Sequence, residues 1–372
     1  MIYLDNAATT KPYLESLEIF NKINAERYFN PSASYSVAFD LQRDLNSIKQ
    51  EIIKCLGGEE NDKIIFTSGA TESNNLAIFG SCTNKKKKYL FSIGEHPSVY
   101  NCACDLKNKG YDVDFIPLQR NGEIDYDIFE SMCDENVCFI SIMLVNNETG
   151  AINNLNKIAN IINLKAKDAV FHVDAVQGFC KVKFSVSNSR VNLCSISAHK
   201  IGGIKGIGAL YISNKTKIKN INFGGGQEYG IRSGTVNPAA IYSFAKSIEI
   251  SFKNLEKNLS NVSLLKQSLI ENIETKNIKI KVVSKENCSP YVTSLLVLGN
   301  RGETVMRCLS SKNIMVGTGS ACSSSKVGNR VLENMSYSKS QIIGAIRISF
   351  FVDNTLEEVE TFVKEVKQII TE

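Results

Sequence analysis

No apolar stretch in this 372-residue chain approaches the ~18 residues that a membrane-crossing helix needs, so no membrane association is expected. The N-terminus, Met1-Ile2-Tyr3-Leu4-Asp5, lacks the basic start and apolar core of a secretion signal. No Cys-x-x-Cys pair occurs, which argues against a structural zinc site, and no metal is expected. Nor is there a large charge excess: 43 basic against 38 acidic residues leave +5, too little for an electrostatic nucleic-acid binder. The one basic run, Lys85-Lys86-Lys87-Lys88, reads as a solvated loop face. With only 24 Gly and 6 Pro, the composition excludes collagen-like, fibrous and disordered chains.

What remains is a globular composition, 43% hydrophobic and 22% charged, long enough for two or three domains at ~150 residues each. The eleven cysteines are odd in number and irregularly spaced, with no secretion signal. They point to a reducing, cytoplasmic compartment, and most read as small buried hydrophobes.

Short β-branched runs alternate with helical stretches through the first two thirds. Strands are expected at 63–67, 89–93, 113–117, 137–145, 169–173, 193–197 and 208–212, and helices around 72–79, 98–108 and 155–164. This alternation argues for an α/β fold with a mostly parallel sheet covered on both faces. From Ile241 to Glu274 no Gly or Pro interrupts apolar positions recurring at three- and four-residue steps, which fits one long helix or two consecutive ones. Strand-like pieces follow at 278–284 and 293–298. Thr355 to Glu358 forms a capping box for a last amphipathic helix, with Val359, Phe362, Val363, Val366 and Ile370 as its buried stripe. A large α/β domain followed by a smaller C-terminal one is expected.

The three histidines, His96, His172 and His199, each sit near a strand end beside reactive residue types. Each is either a satisfied structural side chain or part of a site at the carboxyl edge of a sheet. The turn Thr67-Ser68-Gly69-Ala70-Thr71-Glu72-Ser73 joins a strand to a helix. Its exposed N–H groups suit an anion such as phosphate, unless Thr71 or Ser73 simply caps the helix. Gly224-Gly225-Gly226-Gln227-Glu228-Tyr229-Gly230 matches a dinucleotide fingerprint only loosely. The basic, hydroxyl-rich turn Arg232-Ser233-Gly234-Thr235 that follows suits phosphate better.

Asp174 ends one strand and Lys200 follows the next, which places both at one sheet edge if the strands are neighbours. A desolvated lysine there can form a Schiff base, and a carboxylate can hold a pyridinium nitrogen protonated; together these are the protein's share of pyridoxal phosphate chemistry. The other reading is a plain ion pair. Cys322, in Gly319-Ser320-Ala321-Cys322-Ser323, sits among small polar residues as a nucleophile on a flexible arm or as an inert exposed thiol. Arg347, in Ile346-Arg347-Ile348-Ser349, is an arginine inside an apolar strand. It either binds a substrate carboxylate or closes an internal salt bridge.

Taken together, these segments resemble the NifS/IscS-type cysteine desulfurases, members of the class V aminotransferase group. The matching pieces run in order along nearly the whole chain: Tyr3-Leu4-Asp5-Asn6-Ala7-Ala8-Thr9-Thr10, Asn30-Pro31-Ser32, the turn at 67–75, Glu95-His96, Val145-Asn146-Asn147-Glu148-Thr149-Gly150, His172-Val173-Asp174-Ala175-Val176-Gln177, Ser197-Ala198-His199-Lys200, the triple-glycine turn with Arg232-Ser233-Gly234-Thr235, Gly319-Ser320-Ala321-Cys322 and Ile346-Arg347-Ile348-Ser349. Two departures, Gln227 with Tyr229 and the Gly317-Thr318-Gly319 lead-in, bear on the subgroup and so on the sulfur acceptor.

The resemblance implies a fold-type I transferase dependent on pyridoxal 5′-phosphate. Residues 13–255 would form the large domain with its mostly parallel central sheet. Residues 1–12 and 256–372 would form a smaller α+β domain carrying the cysteine loop. Lys200 would hold the cofactor covalently and move protons. Asp174 would pair with the ring nitrogen, His96 would stack on the ring, and Gln177 would bond its hydroxyl. Ala70, Thr71, Ser197 and His199 would hold the phosphate, joined by Thr235 from a neighbouring subunit, which implies a homodimer. Asn147 and Arg347 would hold the carboxylate of L-cysteine. Cys322 would take its sulfur as a persulfide, releasing alanine. The acceptor would be an iron–sulfur scaffold protein or a tRNA-thiolation sulfurtransferase. Selenocysteine lyase or another class V activity is the alternative.

Overall fold

The structure is a computed structural model that describes residues 1–82, 84–318 and 329–371. In chain order the elements of the first part are β1 (Ile2–Leu4), α1 (Leu14–Glu26), α2 (Ser36–Cys55), β2 (Lys63–Thr67), α3 (Ala70–Ser81), β3 (Lys88–Ser92), α4 (Pro97–Asn108), β4 (Asp112–Ile116), α5 (Tyr126–Met132), β5 (Val137–Ser141), α6 (Leu155–Lys165), β6 (Val170–Asp174), β7 (Leu193–Ser197) and β8 (Gly208–Ile212). Seven strands make one sheet in the order β2-β8-β7-β6-β5-β3-β4. All its pairings are parallel except those of β8, which runs against both β7 and β2.

The two-residue period of the strands divides the core. Ile65, Tyr89, Phe91, Phe139 and Leu210 pack with α3 and α4, while Ile64, Leu90, Ile140 and Tyr211 pack with α2, α6 and the later helix α7 (Pro238–Lys253). The sheet is thus covered on both sides, as parallel strands require.

The remaining elements are α8 (Leu255–Thr275), β9 (Ile280–Val282), β10 (Val292–Val297), α9 (Gly302–Ser311), β11 (Ile314–Val316), α10 (Arg330–Asn334), α11 (Lys339–Ile342), β12 (Ala345–Ser349) and α12 (Leu356–Thr371). They build a separate core around Val262, Leu295, Ile346 and Phe362, which also takes in Leu4 and Ala7 from the chain start. A three-stranded antiparallel sheet, β12-β10-β9, lies there, and β1 pairs parallel with β11.

Several sequence expectations shift. The Ile241–Glu274 pattern is two helices, α7 and α8, parted at Asn254. The run 137–145 is strand only to Ser141, because the chain beyond it turns at Asn146, whose side chain bonds the N–H groups of Glu148 and Thr149. The Thr355 and Glu358 capping box is present in both directions, at 3.3 and 3.2 Å. Lys85 and Lys86 are exposed, whereas Lys88 opens β3. Among the described residues the cysteines are free thiols, half of them buried. No described helix is long and apolar enough to cross a membrane.

Candidate active site

The carboxyl ends of β2, β3, β5, β6 and β7 open into one cavity of about 600 Å³, a size that holds a cofactor with its substrate. Asp174 is the last residue of β6 and Ser197 the last of β7, and these strands are parallel neighbours. The strand period turns Asp174 toward α3, where its Oδ2 accepts from Asn74 Nδ2 at 2.9 Å; its Oδ1 accepts from Val176 N at 3.0 Å. The chain leaves β7 through a 3-10 turn, Ala198–Lys200, that brings Lys200 back over the same edge. Gly202 makes that return possible: its φ is +77° and a Cβ there would lie 2.3 Å from the Tyr13 ring.

Lys200 Nζ donates to the carbonyls of Ala7 and Ala8 at 2.6 and 2.7 Å. Burial, aided by the Arg347 cation and opposed by Asp174 and Asp5, lowers its pKa to about 8. Beside it, Gln177 Nε2 donates to Ala7 O at 2.9 Å. Gln177 Oε1 accepts from Lys181 Nζ at 3.3 Å. Burial and the neighbouring Lys200 charge push Lys181 down to about 7.

His96 caps α4: Ser98 N donates to its Nδ1 at 3.2 Å, with Ser98 Oγ at 2.8 Å from the same atom. The neutral ring therefore carries its proton on Nε2. Burial depresses its pKa first, then the cations Lys200, Arg330 and Arg347, against the pull of Asp174. Burial and Lys200 also push His199 down to about 4; its Nδ1 lies 3.2 Å from Thr9 Oγ1.

Ala70 and Thr71 form the first turn of α3. Its N-cap is Gly69, no side chain caps it, and Ser73 Oγ is turned to Thr67 Oγ1 at 2.8 Å. The capping alternative is therefore not what the chain adopts. Ser197 Oγ, buried, has no partner among the described residues. Asn147 and Arg347 also line the cavity. Arg347 Nη1 donates to Asn147 O at 2.9 Å and Nη2 to Asp5 Oδ1 at 2.7 Å.

Some expectations end elsewhere. His172 is not at a loop junction; it is fully buried inside β6 between Ser141 Oγ at 2.8 Å and Ser195 Oγ at 3.1 Å, and burial drives its pKa down to about 3. Arg232 pairs with Glu72, with Nε 2.7 Å from Oε1. Against the upward push of burial, Arg232 and the Ser68 N–H hold the Glu72 carboxyl below its ordinary range. Thr235, expected to serve a neighbouring subunit, is exposed and lies outside this chain's own cavity lining. Cys322 lies outside the described residues.

Sequence reasoning missed Asn74, Lys181, Asp5 and Glu95. Glu95 is 1% exposed, accepts from Met143 N through Oε1 at 2.6 Å, and has no partner for Oε2 among the described residues. Burial and the Asp174 charge raise its pKa to about 8, which favours its neutral form. The only signal in the sequence was its place before His96. No described group of three or more His, Cys, Asp or Glu side chains is placed to hold a metal.

These features fit pyridoxal 5′-phosphate: an uncapped helix N-terminus and an unpartnered serine hydroxyl for the phosphate, a buried carboxylate for the ring nitrogen, and a lysine of lowered pKa for the aldehyde. Fold and cavity together define a pyridoxal-phosphate enzyme of fold type I. The aminotransferase class V family model matches residues 2–362. The cysteine desulfurase IscS of Clostridium botulinum is 33% identical, aligning over 99% of this chain and 94% of its own length. The putative cysteine desulfurase NifS of Bacillus subtilis is 32% identical over 97% of this chain and 92% of its own. A solved NifS-like protein superposes with a TM-score of 0.93 at 31% identity, covering 100% of this chain and 99% of the other. SspA, solved in complex with cysteine, superposes with a TM-score of 0.83 at 28% identity, covering 95% of this chain and 100% of that one. The chain belongs to the class V aminotransferase family, among its NifS/IscS-type cysteine desulfurases.

Proposed function

We propose that the enzyme moves the sulfur of L-cysteine to Cys322, releasing L-alanine and leaving a cysteine persulfide. The observation that carries this reading is the meeting of Lys200, Asp174 and Arg347 around one cavity. When bound, pyridoxal phosphate supplies an electron sink for the bonds of the substrate's α-carbon. The chain's own residues do the rest. Arg347 and Asn147 hold the substrate carboxylate. Asp174, fixed by Asn74 and Val176 N, keeps the ring nitrogen protonated. Lys200, its pKa lowered by burial to about 8, takes the α-proton and returns protons to the carbon skeleton. His96, its Nδ1 occupied, offers only Nε2–H to a reacting group. The substrate C–S bond breaks as the Cys322 thiolate bonds to that sulfur. Cysteine plus thiol becomes alanine plus persulfide, with no outside oxidant or reductant.

Three further features belong to the same reading. The enzyme works as a homodimer in which Thr235, exposed on one protomer, reaches the phosphate held by the other. Residues 13–255 form the cofactor domain, and residues 1–12 with 256–372 form the small one, supported by the separate core of Leu4, Val262 and Phe362. The persulfide then passes to an acceptor protein in the cytoplasm, an iron–sulfur scaffold or a tRNA-thiolation sulfurtransferase.

The test is production of alanine and sulfide from L-cysteine plus a reductant. Wild type should form both in equal amounts, and Cys322→Ala should lose nearly all sulfur transfer. Undiminished turnover by Cys322→Ala would refute the nucleophile, and no alanine from wild type would refute the reaction. Label from ³⁵S-cysteine should appear on the acceptor.

A further inference from the structure

Arg347 stands on β12 between Ile346 and Ile348, both buried, so its stem is anchored while its head is free to rotate unless something holds it. Asp5 does so. Its Oδ1 lies 2.7 Å from Nη2, and the two side chains are 24% and 10% exposed. Asp5 itself is fixed by a backbone bridge to Ser349, two residues along the same strand. Asn147 O holds Nη1, and Nε is buried with no partner among the described residues. Arg347 lines the cavity but Asp5 does not. The carboxylate of Asp5 therefore holds the guanidinium from outside the cavity lining, and Nη1 and Nη2 each keep a second N–H beyond the bonds to Asn147 and Asp5.

Gly317 closes this socket. Its N–H and C=O pair with Arg347 at 3.0 and 2.7 Å. A Cβ at Gly317 would lie 2.6 Å from Asp5 Oδ1, 3.0 Å from Arg347 Nη2 and 3.2 Å from Nε. Only a residue without a side chain leaves the ion pair undisturbed.

We propose that Asp5 is a positioning residue that aims the Arg347 fork at the substrate's carboxylate, with Gly317 supplying the space the pair needs. This rests on the proposed role of Arg347 toward an α-carboxylate. A planar fork binds a carboxylate through two parallel bonds only when its plane is set beforehand. Asp5 sets that plane from outside the cavity lining, in the way an outer carboxylate orients a histidine that ligates a metal.

The test is calorimetric binding of L-alanine and of ethylamine, the same amine without the carboxylate, to the pyridoxal-phosphate-loaded enzyme. Asp5→Asn should weaken L-alanine roughly ten-fold and leave ethylamine unchanged. The KM for L-cysteine should rise by a similar factor, the loss falling on KM rather than kcat. Asp5→Glu should recover part of it, and Gly317→Ala should reproduce it from the opposite side. In an Arg347→Lys background, Asp5→Asn should have no further effect on L-alanine. Equal weakening of both ligands, or a full additional loss in the Arg347→Lys background, would reduce Asp5 to a structural counter-ion and overturn the proposal. Because the ligands carry no sulfur, this outcome is independent of whether the enzyme desulfurates cysteine.

Discussion

At pH 7 the Lys200 amine should react as no surface lysine does. Its pKa falls from 10.5 to about 8 because its cationic form is buried and faces Arg347. That shift gives ~300-fold more neutral amine at pH 7 than an ordinary lysine has. The assay is pulse labelling of the cofactor-free enzyme with a small amine-acylating reagent across pH 6 to 11, read residue by residue by mass spectrometry. Lys200 labelling should rise with a midpoint near 8. The sign follows from the cause: burial disfavours the charged form, so the proton leaves at lower pH. Arg347→Met removes the second cause and should move the Lys200 midpoint upward. Lys181, with a pKa of about 7, is a built-in contrast: only 3% exposed, it should resist labelling at any pH that keeps the fold. A Lys200 midpoint near 10, or no response to Arg347→Met, would refute the electrostatic account of the site.

Three more outcomes can be measured. Gly208→Ala puts a Cβ 2.8 Å from the backbone of Gly69, the N-cap of α3, and should weaken pyridoxal phosphate binding about ten-fold; an unchanged dissociation constant would separate that turn from the phosphate. His172→Ala leaves Ser141 and Ser195 unpaired around a cavity and should cost about 3 kcal/mol in chemical denaturation. The pKa of His172 falls from 6.5 to about 3 on folding, so wild-type stability should decline as pH drops through that window, and the decline should shrink in the variant. Glu95→Gln should be more stable than wild type by at least ~1 kcal/mol at pH 7. The wild-type carboxyl titrates near 8 when folded, against 4.5 for the ordinary group, so the gain should grow from pH 4.5 and level off near 8; no difference at pH 7 would show that Glu95 is ionised.

Much of the site was legible because catalysis on a parallel sheet concentrates at strand ends. A strand is short, apolar and bounded by turns, so Asp174, Lys200 and the turn before α3 could be located from alternation alone. The strands 63–67, 193–197 and 208–212 agree with the structure to the residue. Helix phase was as plain for α12, because a surface helix must show one apolar stripe.

The sequence by itself determined the class of sheet and the edge at which chemistry gathers, because these follow from periodicity close along the chain, while the roles of Asp174 and Lys200 toward pyridoxal phosphate came from the resemblance to the family. Only the tertiary structure decided that His172 is a core residue, that Arg232 answers Glu72, that burial raises the Glu95 carboxyl and that Asp5 pairs with Arg347. Each of these depends on which partner lies within hydrogen-bond reach and how much water is excluded. Asp5 and Arg347 are 342 residues apart in the chain yet 2.7 Å apart in space, and no local pattern encodes a distance that folding alone creates.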